Sequence, residues 1–206
     1  SYFEARSKHR FVKNSKTCLL IITGFRSIPS KVNPLLESLP SDISYYVPRC
    51  LGWGRTNYNS IDKLSWKDWV LQYMEAYDLL VSIGYHVVVV GHSTGCNIAN
   101  ILALQRNIED VCYISPNFIV NDKHAMYQKI ALCPIIGDIF CYLVRIFPNK
   151  PSDMSSEFEK SGFYYKYIPT NGVKQMWKLQ NKNIRETDCS IKRCALFFDY
   201  EDDVVG

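Results

Sequence analysis

The sequence predicts an α/β domain in which a mostly parallel sheet carries flanking helices and a helical cap insertion. Three observations carry that prediction. Short apolar runs alternate along the chain with segments of helical period, the pattern that gives parallel strands joined by crossover helices. The runs are apolar at nearly every position, as in strands covered on both faces. The segment 122–190 then breaks the alternation with an aromatic, proline-punctuated stretch. It is expected to be a cap or lid over the carboxyl edge of the sheet, not a second domain. The 206 residues suffice for a single domain with a buried core.

The elements follow in order. Residues 18–23 (Cys-Leu-Leu-Ile-Ile-Thr) form the first strand, and 24–30 a loop. Residues 32–39 suit a short helix, and 44–48 a second strand, followed by a turn rich in glycine and asparagine. Ser65 and Asp68 have the spacing of a capping box. Trp66, Trp69, Val70, Tyr73, Tyr77, Leu80 and Val81 then recur at helical spacing, and Gly84 is placed to end that helix. Four valines at 87–90 predict a strand, 96–104 a helix, 111–114 a strand and 194–198 the last strand. In such sheets function collects in the loops beyond the carboxyl ends of the strands.

Composition excludes several classes. Apolar residues make up 47% and charged residues 21%, so disorder and coiled coil do not fit. A net charge of +4 is too small to indicate a nucleic-acid partner. The 8 cysteines include no C-x-x-C pair and no His/Cys metal spacing. Cys18, Cys112 and Cys194 fall in runs expected to be buried strands, so free thiols in a reducing, cytoplasmic setting are expected. The first residues show no secretory signal pattern. The longest apolar stretch, 130–147, is interrupted by Pro134, Asp138 and Arg145. A spanning helix needs about 20 mostly apolar residues, so a buried or membrane-touching helix pair is expected instead. No metal, cofactor or phosphate loop is indicated, since 91–95 lacks the lysine of a P-loop.

The pentad 91–95, Gly-His-Ser-Thr-Gly, follows the valine strand directly and opens a helical segment. This is G-x-S-x-G in a strand–turn–helix setting. A sharp turn must present Ser93 with unusual backbone angles, and side chains at Gly91 and Gly95 would crowd it. The bland reading is a glycine-rich turn with an incidental serine; the setting favours a nucleophile. A tetrahedral oxyanion needs two prearranged N–H donors. Thr94, after the serine, supplies one, and Phe25, in the loop after the first strand, is the candidate for the other, with Gly24 allowing close backbone approach.

On these residues the chain resembles serine hydrolases of the α/β-hydrolase fold, carboxylesterases and monoacylglycerol-lipase-like enzymes in particular. The matching pieces are Thr23-Gly-Phe25, where the family usually has His-Gly-Phe, and 51–55, where it usually has Gly-His-Gly. To these add 91–95, 115–118 and 198–205. The resemblance implies Asp202 as the triad acid that orients an imidazole, with Asp199 and Asp203 as alternatives. A solvated acidic loop at 201–203 is the structural alternative.

The triad order of this family is Ser, Asp, His, and no histidine follows Asp202 before Gly206. The resemblance implies a further helix, a last strand and a histidine-bearing loop. The expectation is therefore a chain incomplete at its carboxyl end and lacking the last strand. Among the four histidines, His9 is expected to be solvated, His86 to precede a strand and His92 to pack against the sheet. His124, opening the cap, is the one expected to be able to approach Ser93.

The cap is rich in large apolar residues, among them Ile136 and Phe140, which suits an acyl chain bound at about 0.8 kcal/mol per buried methylene. Those residues suit the cap's own core equally well. Lys123, Lys129, Arg145 and Lys150 flank them, so a peripheral membrane contact through the cap also fits. Gly24, Trp53, His92, Asn117, Ile136 and Phe140 are the candidate substrate-pocket residues, with surface packing the alternative for Trp53. The expected activity is hydrolysis of acyl or lipid-like esters through an acyl-enzyme on Ser93. A catalytically inactive protein of the same fold that binds lipid or a partner is the alternative. Oligomeric state is not legible.

Overall fold

The computed structural model describes residues 5–54, 61, 63–119, 122–143, 146–148, 167–185 and 191–197. Among them runs a six-stranded sheet. Its strands are β1 (Lys8–Arg10), β2 (Thr17–Ile22), β3 (Ser44–Val47), β4 (His86–His92), β5 (Asp110–Ile114) and, last in the chain, β8 (Arg193–Phe197). Their order is β1-β3-β2-β4-β5-β8. Every pairing is parallel except β1 with β3. The predicted mostly parallel sheet with flanking helices is the observed one.

The apolar runs are explained by two covered faces. From β2 and β4, Cys18, Leu20, Ile22, Val87 and Val89 join the larger core. Ile21 and Val90, one residue out of phase, enter a smaller core with Leu36 and Val47. Leu36 belongs to α1 (Asn33–Ser38), entered through a 3₁₀ turn at Pro29–Val32. The larger core is closed by α2 (Trp66–Ser82) and α3 (Thr94–Arg106). At the start of α2 the Ser65 N–H donates to Asp68 Oδ2 at 2.7 Å, the capping box read from the sequence. Trp69, Val70, Tyr73, Ala76 and Leu80 are its buried face, whereas Val81 is 45% exposed. Gly84, at φ +96°, ends the turn beyond it.

Three expectations need correction. Residues 8–10 form an edge strand on β3 where no element was expected; His9 is exposed there, as expected. Cys194 is exposed, because β8 is the edge strand of the described sheet, with Leu196 and Phe197 at 53% and 61% exposure. His86 is not ahead of β4 but its first residue.

The segment after β5 holds α4 (Asp122–Leu132), α5 (Ile136–Leu143), the antiparallel pair β6 (Ile146–Pro148) and β7 (Tyr167–Pro169), and α6 (Thr170–Arg185). A Cβ on Gly137 would lie 2.2 Å from the Ala131 carbonyl oxygen, so α4 and α5 meet almost backbone to backbone. No described helix is long and apolar enough to cross a membrane.

Candidate active site

The parallel register brings three loops to one edge of the sheet. Ile22 of β2 stands beside Gly91 of β4, and His92 of β4 stands beside Ile114 of β5. Residues 23–25, 93–94 and 115–117 therefore leave adjacent strands at the same end. β8 ends level with them, since Ile114 pairs with Phe197 and the Ser115 N–H donates to the Phe197 carbonyl at 2.7 Å.

Ser93 occupies the bend between β4 and α3 with φ 53° and ψ −121°. These angles are strained for a residue with a side chain. The turn is held by the Ser93 N–H donating to the Ile114 carbonyl at 2.9 Å and the Cys96 N–H donating to the Ser93 carbonyl at 2.9 Å. Both flanking glycines are sterically required. A Cβ on Gly91 would lie 2.7 Å from Cys96 Cα, and one on Gly95 would lie 2.2 Å from the Ile22 carbonyl oxygen.

Gly24 meets this bend from β2. A Cβ there would lie 3.0 Å from Ser93 Cβ and 3.3 Å from His92 Nδ1. The loop carrying Phe25 is thus in contact with Ser93, and the half-buried His92 ring lies beside Gly24. The Phe25 ring turns away into an aromatic cluster, edge-on to Trp53 with centroids 4.7 Å apart and 6.2 Å from Trp69. Trp53 is 2% exposed, so the surface-packing alternative for it is wrong: the indole is core, wedged between Phe25 and Trp69.

Thr94 is the first residue of α3 and is 3% exposed. Its hydroxyl oxygen accepts from Asn117 Nδ2 at 2.9 Å. Asn117 was expected among pocket residues; its side chain faces Thr94 and Asn97. Ile136 is 58% exposed and Phe140 half-buried, so Ile136 lies on the outer surface of the helix pair. Met126, Ile135, Ile139 and Leu143 share that exposure, at 64%, 72%, 53% and 74%. Ile135, between α4 and α5, adopts φ 68°, a rare conformation for a β-branched residue.

His86 opens β4 and Ser93 follows its end; the six residue steps of the strand from His86 to His92, at about 3.3 Å each, put roughly 20 Å between the two ends. His86 pairs there with Asp110 at 2.7 Å, beside a cavity of about 420 Å³ lined also by Thr17, Val88, Cys112 and Arg193. His124 lies in α4, and its side chain is outside the described residues, as are Asp199, Asp202 and Asp203. The sequence reading missed the polar seam behind Thr94, in which Asn97, Asn100, Gln180 and Asn183 take part. Its one sequence signal is a set of amides at helical spacing in 171–183.

Solved structures share this fold. A structure from work on LipS and LipT, two metagenome-derived lipolytic enzymes, gives a TM-score of 0.75 at 18% identity, over 98% of this chain and 79% of the other. A soluble variant of monoglyceride lipase from Saccharomyces cerevisiae, solved with a substrate analog, gives 0.68 at 12% identity, over 93% and 82%. The protein has the α/β-hydrolase fold. In sequence, the chain is 26% identical over 196 residues to a thermostable monoacylglycerol lipase from Bacillus sp. (strain H-257), spanning 95% of this chain and 74% of the relative. No family model matches the chain. The resemblance to carboxylesterases and monoacylglycerol-lipase-like proteins read from the motifs is the one these comparisons return.

Proposed function

We propose that this α/β-hydrolase cleaves carboxylic, lipid-like esters with Ser93 as nucleophile. The observation that carries the reading is the strained Ser93 bend, enforced by two glycines that have no room for a side chain. Strain of this kind persists where the surrounding structure over-determines it, and a presented nucleophile is a use for it. The lipolytic relatives support an ester as substrate.

In this reading Ser93 Oγ attacks the acyl carbon, and the backbone N–H groups of Phe25 and Thr94 receive the oxyanion. Collapse expels the alcohol and leaves an acyl-serine, which water hydrolyses. Asp202, a few residues beyond β8, is the proposed acid, and its work is to orient a histidine base. The family order puts that base after the acid, so it is assigned to none of the four histidines of residues 1–206. Residues 122–190 act as a cap, and the exposed apolar face of α4 and α5 suits a peripheral contact with lipid.

The test is labelling with a fluorophosphonate probe. In the protein that carries the histidine base after Asp202, wild type is expected to be labelled and Ser93→Ala not. Labelling that persists in Ser93→Ala overturns the assignment. A wild type that binds fatty acid tightly, takes no label and turns over no p-nitrophenyl ester supports the non-catalytic binding protein instead.

A further inference from the structure

Among the described residues, the Thr94 hydroxyl is held by one loop residue, Asn117. Asn117 Nδ2 donates to Thr94 Oγ1 at 2.9 Å, and Asn117 Oδ1 accepts from Asn97 Nδ2 at 2.7 Å, about one helical turn further along α3. The Asn117 carbonyl accepts from the same Asn97 Nδ2 at 3.2 Å and from Gln180 Nε2 of α6 at 2.8 Å. A second rung continues the seam: Asn100 Nδ2 donates to Asn183 Oδ1 at 2.6 Å, and the Tyr113 hydroxyl donates to Asn100 Oδ1 at 2.9 Å. Near its start, α6 also comes up to the other oxyanion candidate, since a Cβ on Gly172 would lie 3.7 Å from Phe25 Cζ.

This seam is not built for stability alone. Asn97 Oδ1 and Gln180 Oε1 are buried with no hydrogen-bond partner among the described residues. Buried unpaired acceptors are costly, and an apolar seam of the same shape would avoid them. Hydrogen bonds give what apolar packing does not, a fixed register between α3, the 115–117 loop and α6.

We propose that Asn117 is a positioning residue for the oxyanion hole, clamping Thr94 to α6 so that the donor end of α3 and this cap helix move as one unit. The proposal rests on the reading of Thr94 as an oxyanion donor. Asn117 touches no reacting atom in it; the residue acts through Thr94.

The experiment pairs amide hydrogen exchange with fluorophosphonate labelling of the full chain. Asn117→Ala is expected to speed exchange at 94–97 at least tenfold more than elsewhere in α3, and to slow labelling about tenfold. Where ester turnover is measured, the loss falls on kcat with KM within twofold. Gln180→Met, which leaves Asn97 on the Asn117 carbonyl, is expected to keep or raise Tm while slowing labelling several-fold. A purely structural residue would lower Tm and raise exchange everywhere, and that outcome overturns the proposal. So does an unchanged labelling rate in both variants. A wild type that takes no label, together with localised exchange in Asn117→Ala, supports the clamp and places the failure in the hydrolase reading.

Discussion

Gly95 and Ile22 are in backbone contact, with no space between them for a methyl group. A Cβ on Gly95 would stand 2.2 Å from the Ile22 carbonyl oxygen and 2.9 Å from that of Thr23. The contact locks the start of α3 onto the end of β2, and so fixes Ser93 relative to the loop that carries Phe25. Neither obstacle is a flexible side chain, so the backbone itself must move to admit one.

Gly95→Ala is therefore expected to cost about 3 kcal/mol or more, the upper range for overpacking a tight site. Roughly 2–4 °C per kcal/mol at this size makes that a fall in Tm on the order of 10 °C. Gly84→Ala provides the contrast. No atom lies within 4 Å of a Cβ there, and only its φ of +96° resists the change. Its expected cost is about 1–2 kcal/mol. Urea denaturation of both variants checks the order, and equal losses would refute the steric account.

Thiol reactivity should follow burial. Burial pushes the Cys50 and Cys96 thiols up to about 12 and the Cys18 thiol to about 11. The thiolate is the reactive form, and at pH 8 a thiol near 12 is ionised about once in 10,000 molecules and one near 11 about once in 1,000. Cys194 is exposed on β8. Iodoacetamide at pH 8 is expected to alkylate Cys194 and to leave the buried Cys18, Cys50 and Cys96 untouched until denaturant is added. Peptide mass spectrometry reads the order, and native-state alkylation of Cys50 at the rate of Cys194 would contradict it.

The strands and the Ser93 bend were legible because each leaves a local mark. Of the four valines at 87–90, three are buried and Val88 is half-buried, and the capping box is a three-residue spacing. β1 left no such mark: its sequence, Lys-His-Arg, is polar, and it becomes a strand only by pairing with β3. β6 and β7 are three residues each and far apart in the chain, so their pairing is tertiary. The buried face of α6 includes Lys174, Gln175, Gln180 and Asn183, residue types that signal solvent in a sequence. For the same reason Asn117 was legible as a residue near the site but not as the partner of Thr94. Side-chain partners across elements carry no periodicity.

Lys174 tests whether the α4–α5 pair depends on α6. Its side chain is 6% exposed and its ammonium donates to Asp138 Oδ1 of α5, whose side chain is 79% exposed. The Lys174 ammonium holds the Asp138 carboxyl below its ordinary range. Removing one partner of such a pair strands a buried charge, whereas replacing the buried member with an apolar isostere removes the need for a partner. Asp138→Asn is therefore expected to lower Tm more than Lys174→Met does. Asp138→Asn should also speed limited proteolysis between α4 and α5. A Tm unmoved by Asp138→Asn would show that the solvated carboxylate contributes nothing there.

Acid sensitivity should centre on Asp110, at the end of the sheet remote from Ser93. Arg193, its direct neighbour on β8, donates to both carboxylate oxygens, with Nη2 at 2.7 Å from Oδ2, and His86 lies 2.7 Å away on the other side. The Arg193 hydrogen bonds first, and His86 after them, hold the Asp110 carboxyl below its ordinary range. A carboxyl depressed in the folded state binds its proton more readily in the unfolded chain, where its pKa is about 3.9. Its contribution is thus complete above that value and lost as pH falls through the lower folded value. The urea midpoint is expected to be insensitive to this group from pH 7 to about pH 5 and to drop below about pH 4. Asp110→Asn should lower the midpoint at neutral pH and flatten the acid limb. Arg193 is 74% exposed, so part of the contribution is screened, and 1 M salt should shrink the difference between wild type and variant. An acid limb as steep in Asp110→Asn as in wild type would assign the acid sensitivity to other carboxylates.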